Sequence, residues 1–127
     1  MPRIRVATKA ARTLDGIVFD SKAEMQRYAE LRLLVRSGNI IGLIYQPYVP
    51  FIINGARVVI RSDRYKNGRP CGYRADFSYL ERQPDGSWER VIEDVKGGYQ
   101  TDISRLRIAI AEAIIGKQVR ITGMARR

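Results

Sequence analysis

Asp76, in YRADFSY, stands eighteen residues before Asp94, in VIEDVKG, and Lys96 follows Asp94 by two. Two carboxylates and an ammonium are tools for metal-assisted chemistry on phosphates. Hard oxygen ligands hold magnesium or manganese, while a lysine orients or deprotonates an attacking water and offsets charge building on the phosphorus oxygens. Their separation in the sequence is bridged by Gln83-Pro84-Asp85-Gly86-Ser87, which is turn chemistry. A hairpin centred near Asp85 pairs residues whose numbers sum to about 170, which sets Asp76 opposite Asp94. Like charges facing each other across an antiparallel pair destabilise it unless a cation or a proton intervenes. The period of two places Lys96 on the Asp94 face and turns Glu93 to the other side. A slip of one residue would undo the arrangement.

A third carboxylate comes from upstream. Ser21 to Ser37 has a helical pattern, stopped by Gly38-Asn39, and at 100° per residue Glu24 shares a narrow stripe with Tyr28, Leu31 and Val35. Glu24 therefore points with the apolar face, where it is a candidate third ligand beside Asp76 and Asp94. The same residues, Ser21-Lys22-Ala23-Glu24, also spell a capping box, in which Glu24 only returns a hydrogen bond to the helix start. The chemistry implied by Glu24, Asp76, Asp94 and Lys96 together is phosphodiester hydrolysis with Mg2+ or Mn2+. Plain ion pairing of the two aspartates with Arg74 or Lys96 is the bland alternative.

The elements that must position these groups follow in order. Met1 to Arg12, with Arg3, Arg5, Lys9 and Arg12, reads as a mobile basic arm within residues 1–15, and 16–127 as a single domain. Leu43 to Ile53 reads as one strand, at an edge or irregular because of Pro47 and Pro50; Asn54-Gly55 turns it into Arg57 to Ile60. Arg61 to Gly72 is an exposed loop whose Arg61, Arg64, Lys66 and Arg69 are candidate phosphate contacts. Tyr73 to Glu81 and Trp88 to Lys96 form the hairpin. A last helix over 102–115 carries Ile103, Leu106, Ile110 and Ile114 on one face and Arg105 and Arg107 as further phosphate contacts, before a short strand over Val119 to Thr122. Gly97-Gly98 either closes the strand or lets a DNA backbone approach, and Trp88 and Tyr99 are packing residues or base-stacking ones.

Composition narrows the partners. At 127 residues one core suffices, and domains of this size bury roughly two-thirds of their unfolded surface. There is no histidine and a single cysteine, Cys71, which removes imidazole bases and nearly all zinc sites and fits a reducing compartment, hence the cytoplasm. Against 13 acidic residues stand 23 Lys and Arg, a net charge of +10, and that field favours a polyanion, with DNA the leading partner. No run approaches the roughly 18 apolar residues of a membrane span, and no basic amphipathic helix suits a membrane surface. An RNA-binding module finds no aromatic strand signature.

Asp76 in YRADFSY, Asp94-Val95-Lys96 in VIEDVKG and the helical glutamate of FDSKAEMQRY together resemble the PD-(D/E)XK nuclease superfamily, and more narrowly the small phage and prophage endonucleases related to Holliday junction resolvases. The resemblance covers roughly Gly16 to Thr122. It departs from the naming pattern at Ala75, where that pattern has proline, and Gln46-Pro47 matches a glutamine on the first strand of some relatives. It implies an α/β, restriction-endonuclease-like mixed sheet flanked by helices, in the order helix, three strands, helix, strand. It further implies a Mg2+-dependent endodeoxyribonuclease acting on branched DNA in phage recombination, replication or packaging, in the bacterial host's cytoplasm if phage-encoded, and a homodimer for paired cuts. The alternative is a non-catalytic DNA-binding or recombination accessory protein that keeps the fold.

Overall fold

Ser21 opens the first helix, α1 (Lys22–Ser37), from an extended backbone, its Oγ accepting the Glu24 N–H at 3.1 Å. Gly38 closes the helix with φ +82°, a conformation that costs a residue without Cβ almost nothing, and its N–H reaches the carbonyls of Leu34 and Val35. The computed structural model describes residues 7–96 and 100–123 and is mixed α/β. Its main sheet has four strands in the order Arg120–Thr122, Trp88–Val95, Phe77–Arg82, Ile40–Tyr45. Phe77–Arg82 is antiparallel to both of its neighbours, whereas Arg120–Thr122 runs parallel to Trp88–Val95, reached through the second helix, α2 (Asp102–Ile115). In the hairpin Phe77 faces Glu93 and Arg82 faces Trp88, the register predicted from the turn.

Two expected strands are interrupted at the same level. Pairing stops at Tyr45, Gln46 takes φ +57°, and a new pair begins, Tyr48–Pro50 against Gly72–Arg74. Opposite, the run from Tyr73 breaks at Ala75-Asp76. The Gln46 N–H donates to the Asp76 carbonyl (2.9 Å) and the Ala75 N–H to the Pro47 carbonyl (3.0 Å). The two interrupted strands are therefore one ribbon with an irregular bend, set where Pro47 offers no N–H, and such bends re-aim side chains. Past the bend, Ile52–Ile53 turns through Asn54 (φ +52°) and Gly55 (φ +76°) into Ala56–Arg57, as the Asn-Gly signal predicts. Val59–Ile60 then pairs with Arg69–Pro70 to close the exposed loop. The Arg57 to Ile60 strand is thus split in two around Val58.

The sheet's two faces carry separate cores. Tyr28 and Leu31 of α1 pack with Phe19, Phe77, Tyr79, Val91 and Val95. On the opposite face Ile108 and Ala111 of α2 pack with Val49, Phe51, Tyr73 and Val119. Of the stripe Ile103, Leu106, Ile110 and Ile114 only Ile110 packs against this core; Ile103 is 63% exposed and Leu106 56%. Ala111 decides this, because a small residue lets the helix approach the sheet more closely than a bulky stripe would. Of the N-terminal arm, residues 1–6 with Arg3 and Arg5 lie outside the described residues. The remainder is folded: Ala10–Arg12 forms a 3-10 turn, Thr13–Leu14 pairs with Ile17–Val18, and Arg12 donates to the carbonyls of Ala7 (2.9 Å) and Phe19 (2.6 Å). Among the described residues no helix is long and apolar enough to cross a membrane.

Candidate active site

Asp76 sits at the ribbon bend, directly before Phe77, and Asp94 on the neighbouring strand. Two backbone contacts hold the pair in register: the Asp76 N–H donates to the Glu93 carbonyl (3.1 Å), and Asp76 Oδ2 accepts the Val95 N–H (2.6 Å). Asp94, only 4% exposed, accepts a hydrogen bond from the Tyr73 hydroxyl on Oδ2 (2.5 Å), and Lys96 Nζ stands 3.0 Å from the same oxygen. Lys96 Nζ also lies 3.5 Å from Ser104 Oγ in the first turn of α2. Glu24 reaches the pair from the start of α1, so the sequence-predicted quartet does come together.

Its electrostatics are those of too much negative charge in too little water. Burial and the neighbouring Asp94 push the Asp76 carboxyl up to about 9, against a weaker downward pull from the Val95 N–H. Glu24 is also raised, by burial first, with the charges of Asp20 and Asp94 adding to it. Burial and the hydrogen bond to Asp94 push the Tyr73 hydroxyl up, so it remains a donor. Glu24 Oε1 is buried with no hydrogen-bond donor, while Oε2 accepts from the Ser21 hydroxyl at 3.3 Å. Ser21 thus caps the helix, but Glu24 turns its side chain into the site.

Does this donor set fit a hard divalent cation? Its chemistry does: the donors are all oxygens, burial and crowding raise Asp76 and Glu24 in a way that a cation would relieve, and Glu24 Oε1 is buried without a hydrogen-bond donor. Among the described residues no group of three or more Asp, Glu, Cys or His side chains is arranged so that it could hold a metal ion.

The four groups occupy one end of a cleft of about 520 Å³. Arg69 and Arg107 line it too, together with Tyr48, which the sequence did not single out, and Arg74, which makes no ion pair with either aspartate. Arg61, Arg64 and Lys66 lie on the exposed loop away from the cleft lining, with Arg64 and Arg69 both over the Tyr65 ring. Arg105 is turned to the exposed side of α2 and pairs with Asp102 at 3.2 Å. Gly97, Gly98 and Tyr99 lie outside the described residues; Trp88 stacks against Arg82. Glu93 belongs to the other face, fully buried and bound by Arg27 Nε (2.6 Å), Tyr79 Oη (2.5 Å) and Thr122 Oγ1 (2.8 Å). Burial works to raise Glu93, but these three donors outweigh it and hold its carboxyl below the ordinary range. Tyr73 and Ser104 escaped the sequence reading because their contacts arise only once the ribbon bends and α2 docks.

A family model described as "Protein of unknown function (DUF1064)" matches residues 6–122. The chain belongs to this family. The match spans both helices and all four strands of the main sheet, hence every residue of the family member's candidate site. No curated protein and no solved structure gives a match.

Proposed function

We propose that this family member is a divalent-metal-dependent endodeoxyribonuclease with a restriction-endonuclease-like core. The observation that carries the reading is the meeting of Glu24, Asp76 and Asp94, from the start of one helix and two adjacent strands, at a cleft end where an ammonium lies 3.0 Å from Asp94. The net charge of +10 supports a polyanionic substrate. Glu24, Asp76 and Asp94 would hold Mg2+ or Mn2+, which when bound supplies water activation and neutralisation of phosphate charge.

The chain's own groups have defined tasks. The Val95 N–H fixes Asp76, and the Tyr73 hydroxyl fixes Asp94 through Oδ2, the oxygen that also faces Lys96. Lys96, set between Asp94 and Ser104, places its positive charge where a phosphoryl oxygen becomes more negative, and a group fixed before reaction loses nothing to reorganisation. Branched DNA and a homodimer making paired cuts are the narrower form of the proposal, carried by the resemblance.

A cleavage panel of four-way junction, flap and linear duplex, with magnesium, manganese or chelator, tests all of this. Wild type is expected to nick at least one substrate only with metal, and Asp94→Ala or Lys96→Ala to lower the rate by about 10²-fold or more. Binding without nicking of any substrate would favour the accessory-protein reading. Nicking that persists in both variants would place the reaction elsewhere.

A further inference from the structure

The cleft is two-ended, and its second end is built around Tyr48. Tyr48 is 44% exposed and faces Arg74 across the ribbon, where the Arg74 guanidinium lies 5.1 Å from the ring centroid. The ring lies over Gly72, where any Cβ would collide with the phenol, so a glycine is required to seat it. Arg57 donates to the Tyr48 hydroxyl (3.0 Å), and Arg107 donates from α2 to the Gly72 carbonyl (2.9 Å). Guanidinium groups from two elements are thereby fixed around one backbone position.

Charge balance separates this cluster from the molecule's structural arginines. Arg27 and Arg120 each grip a carboxylate, Glu93 and Glu81 respectively. Among the described residues no carboxylate lies within ion-pair distance of Arg57, Arg69, Arg74 or Arg107. Four arginines without an ion-pair partner, three of them lining an open cleft, call for an anion. The cleft's volume exceeds what one phosphate fills and lies in the range that takes a nucleotide-sized group.

We propose that Arg74 and Arg107, with Tyr48 on Gly72 as the positioning platform, form a phosphate subsite that holds the nucleic-acid backbone next to the phosphate presented to Glu24, Asp76 and Asp94. This rests on the nuclease reading for the role of the carboxylate end. It adds the strand's path through the cleft: from the acidic end, past Gly72, toward the exposed basic loop. Arg74 and Arg107 bind; Tyr48 acts through Arg74.

Fluorescence anisotropy with a labelled DNA duplex and a labelled four-way junction, in chelator and over a series of salt concentrations, tests the subsite without requiring cleavage. Arg74→Ala and Arg107→Ala should each weaken binding by about tenfold and reduce the slope of log affinity against log salt by about one. Tyr48→Phe keeps a ring beneath Arg74 and should stay within about twofold of wild type, whereas Tyr48→Ala should resemble Arg74→Ala. Arg36→Ala, about 18 Å along α1 from Glu24, is the control for general charge and should lower the slope by well under one. Melting curves of Arg74→Ala and wild type should coincide within a few degrees, which excludes unfolding as the cause. An Arg74→Ala salt slope equal to that of wild type overturns the subsite even if cleavage is observed. Loss of slope in Arg74→Ala, with no cleavage by wild type under any metal, leaves the subsite standing and removes the nuclease reading.

Discussion

Replacing Asp76 by Asn is expected to stabilise the metal-free protein while ending cleavage. An Asn side chain keeps the shape and still accepts the Val95 N–H through its carbonyl oxygen, but carries no charge. The wild-type carboxyl is raised from an ordinary 3.8 to about 9, so at neutral pH the native state must bind a proton that the unfolded chain has released. The sign follows: this cost is absent below about pH 4, grows through the window up to about 9, and is constant above it, so metal-free stability falls as pH rises. At pH 7 roughly three pH units of that window have been crossed, a ceiling of about 4 kcal/mol at about 1.4 kcal/mol per unit. Asp76 is partly open to solvent and titrates against the neighbouring Glu24 carboxyl, which reduces the expected gain to about 1–2 kcal/mol. For a domain of this size that is a rise of about 3–8 °C in Tm.

Urea denaturation in chelator at about pH 5, 7 and 8.5 is the assay. Asp76→Asn should show the larger advantage at the higher pH, and magnesium should stabilise wild type, by displacing the proton and binding only the folded state, but not the variant. If Asp76→Asn is less stable than wild type at pH 7 in chelator, or if the two pH profiles run parallel, then Asp76 is not held protonated by crowded carboxyls and the argument for a cation there collapses.

Arg27→Met strands the fully buried Glu93 with neutral donors only, and should cost about 3 kcal/mol in chemical denaturation, most of it recovered in Arg27→Met/Glu93→Gln. The depressed Glu93 carboxyl contributes stability that is present above its ordinary range and lost as pH falls through its lowered value, so Glu93→Gln should flatten the acid limb of a stability profile. Ser21→Ala removes the cap of α1 and should cost about 1 kcal/mol in thermal melts while leaving any cleavage rate within about twofold; a much larger fall in rate would mean that Glu24 depends on the Ser21 hydroxyl for its placement.

The hairpin was legible because its turn and its alternation agree: five turn residues fix the centre, and the observed pairs from Phe77–Glu93 to Arg82–Trp88 follow. Helix α1 was legible from cap to cap, since Ser21 and Gly38 mark both ends of an apolar stripe. The bend at Gln46 and Asp76 was not. A glutamine at positive φ has no local sequence signal, and only the bridge between the two halves of the ribbon accounts for it. The docking face of α2 is hidden in the sequence for a different reason. The largest apolar side chains form the more conspicuous stripe, whereas the packing is made by Ile108 and Ala111. Among the site residues the carboxylates and Lys96 were legible from spacing. Tyr48 and Tyr73 owe their roles to tertiary contacts made beyond the bend.

That bend also separates two jobs along a single ribbon. The segment from Tyr48 to Arg74 leaves and rejoins the sheet at one level, while the hairpin pairs from Phe77–Glu93 to Arg82–Trp88 run on in regular register. Loop length, charge and turn type in the outer part of this ribbon, from Arg61 to Gly68, are thus free to change or to be grafted by an engineer, while Val49, Phe51 and Tyr73 nearer the bend stay committed to the second core and to Asp94. Diversification of what is gripped, without redesign of what is done to it, is the freedom this architecture grants.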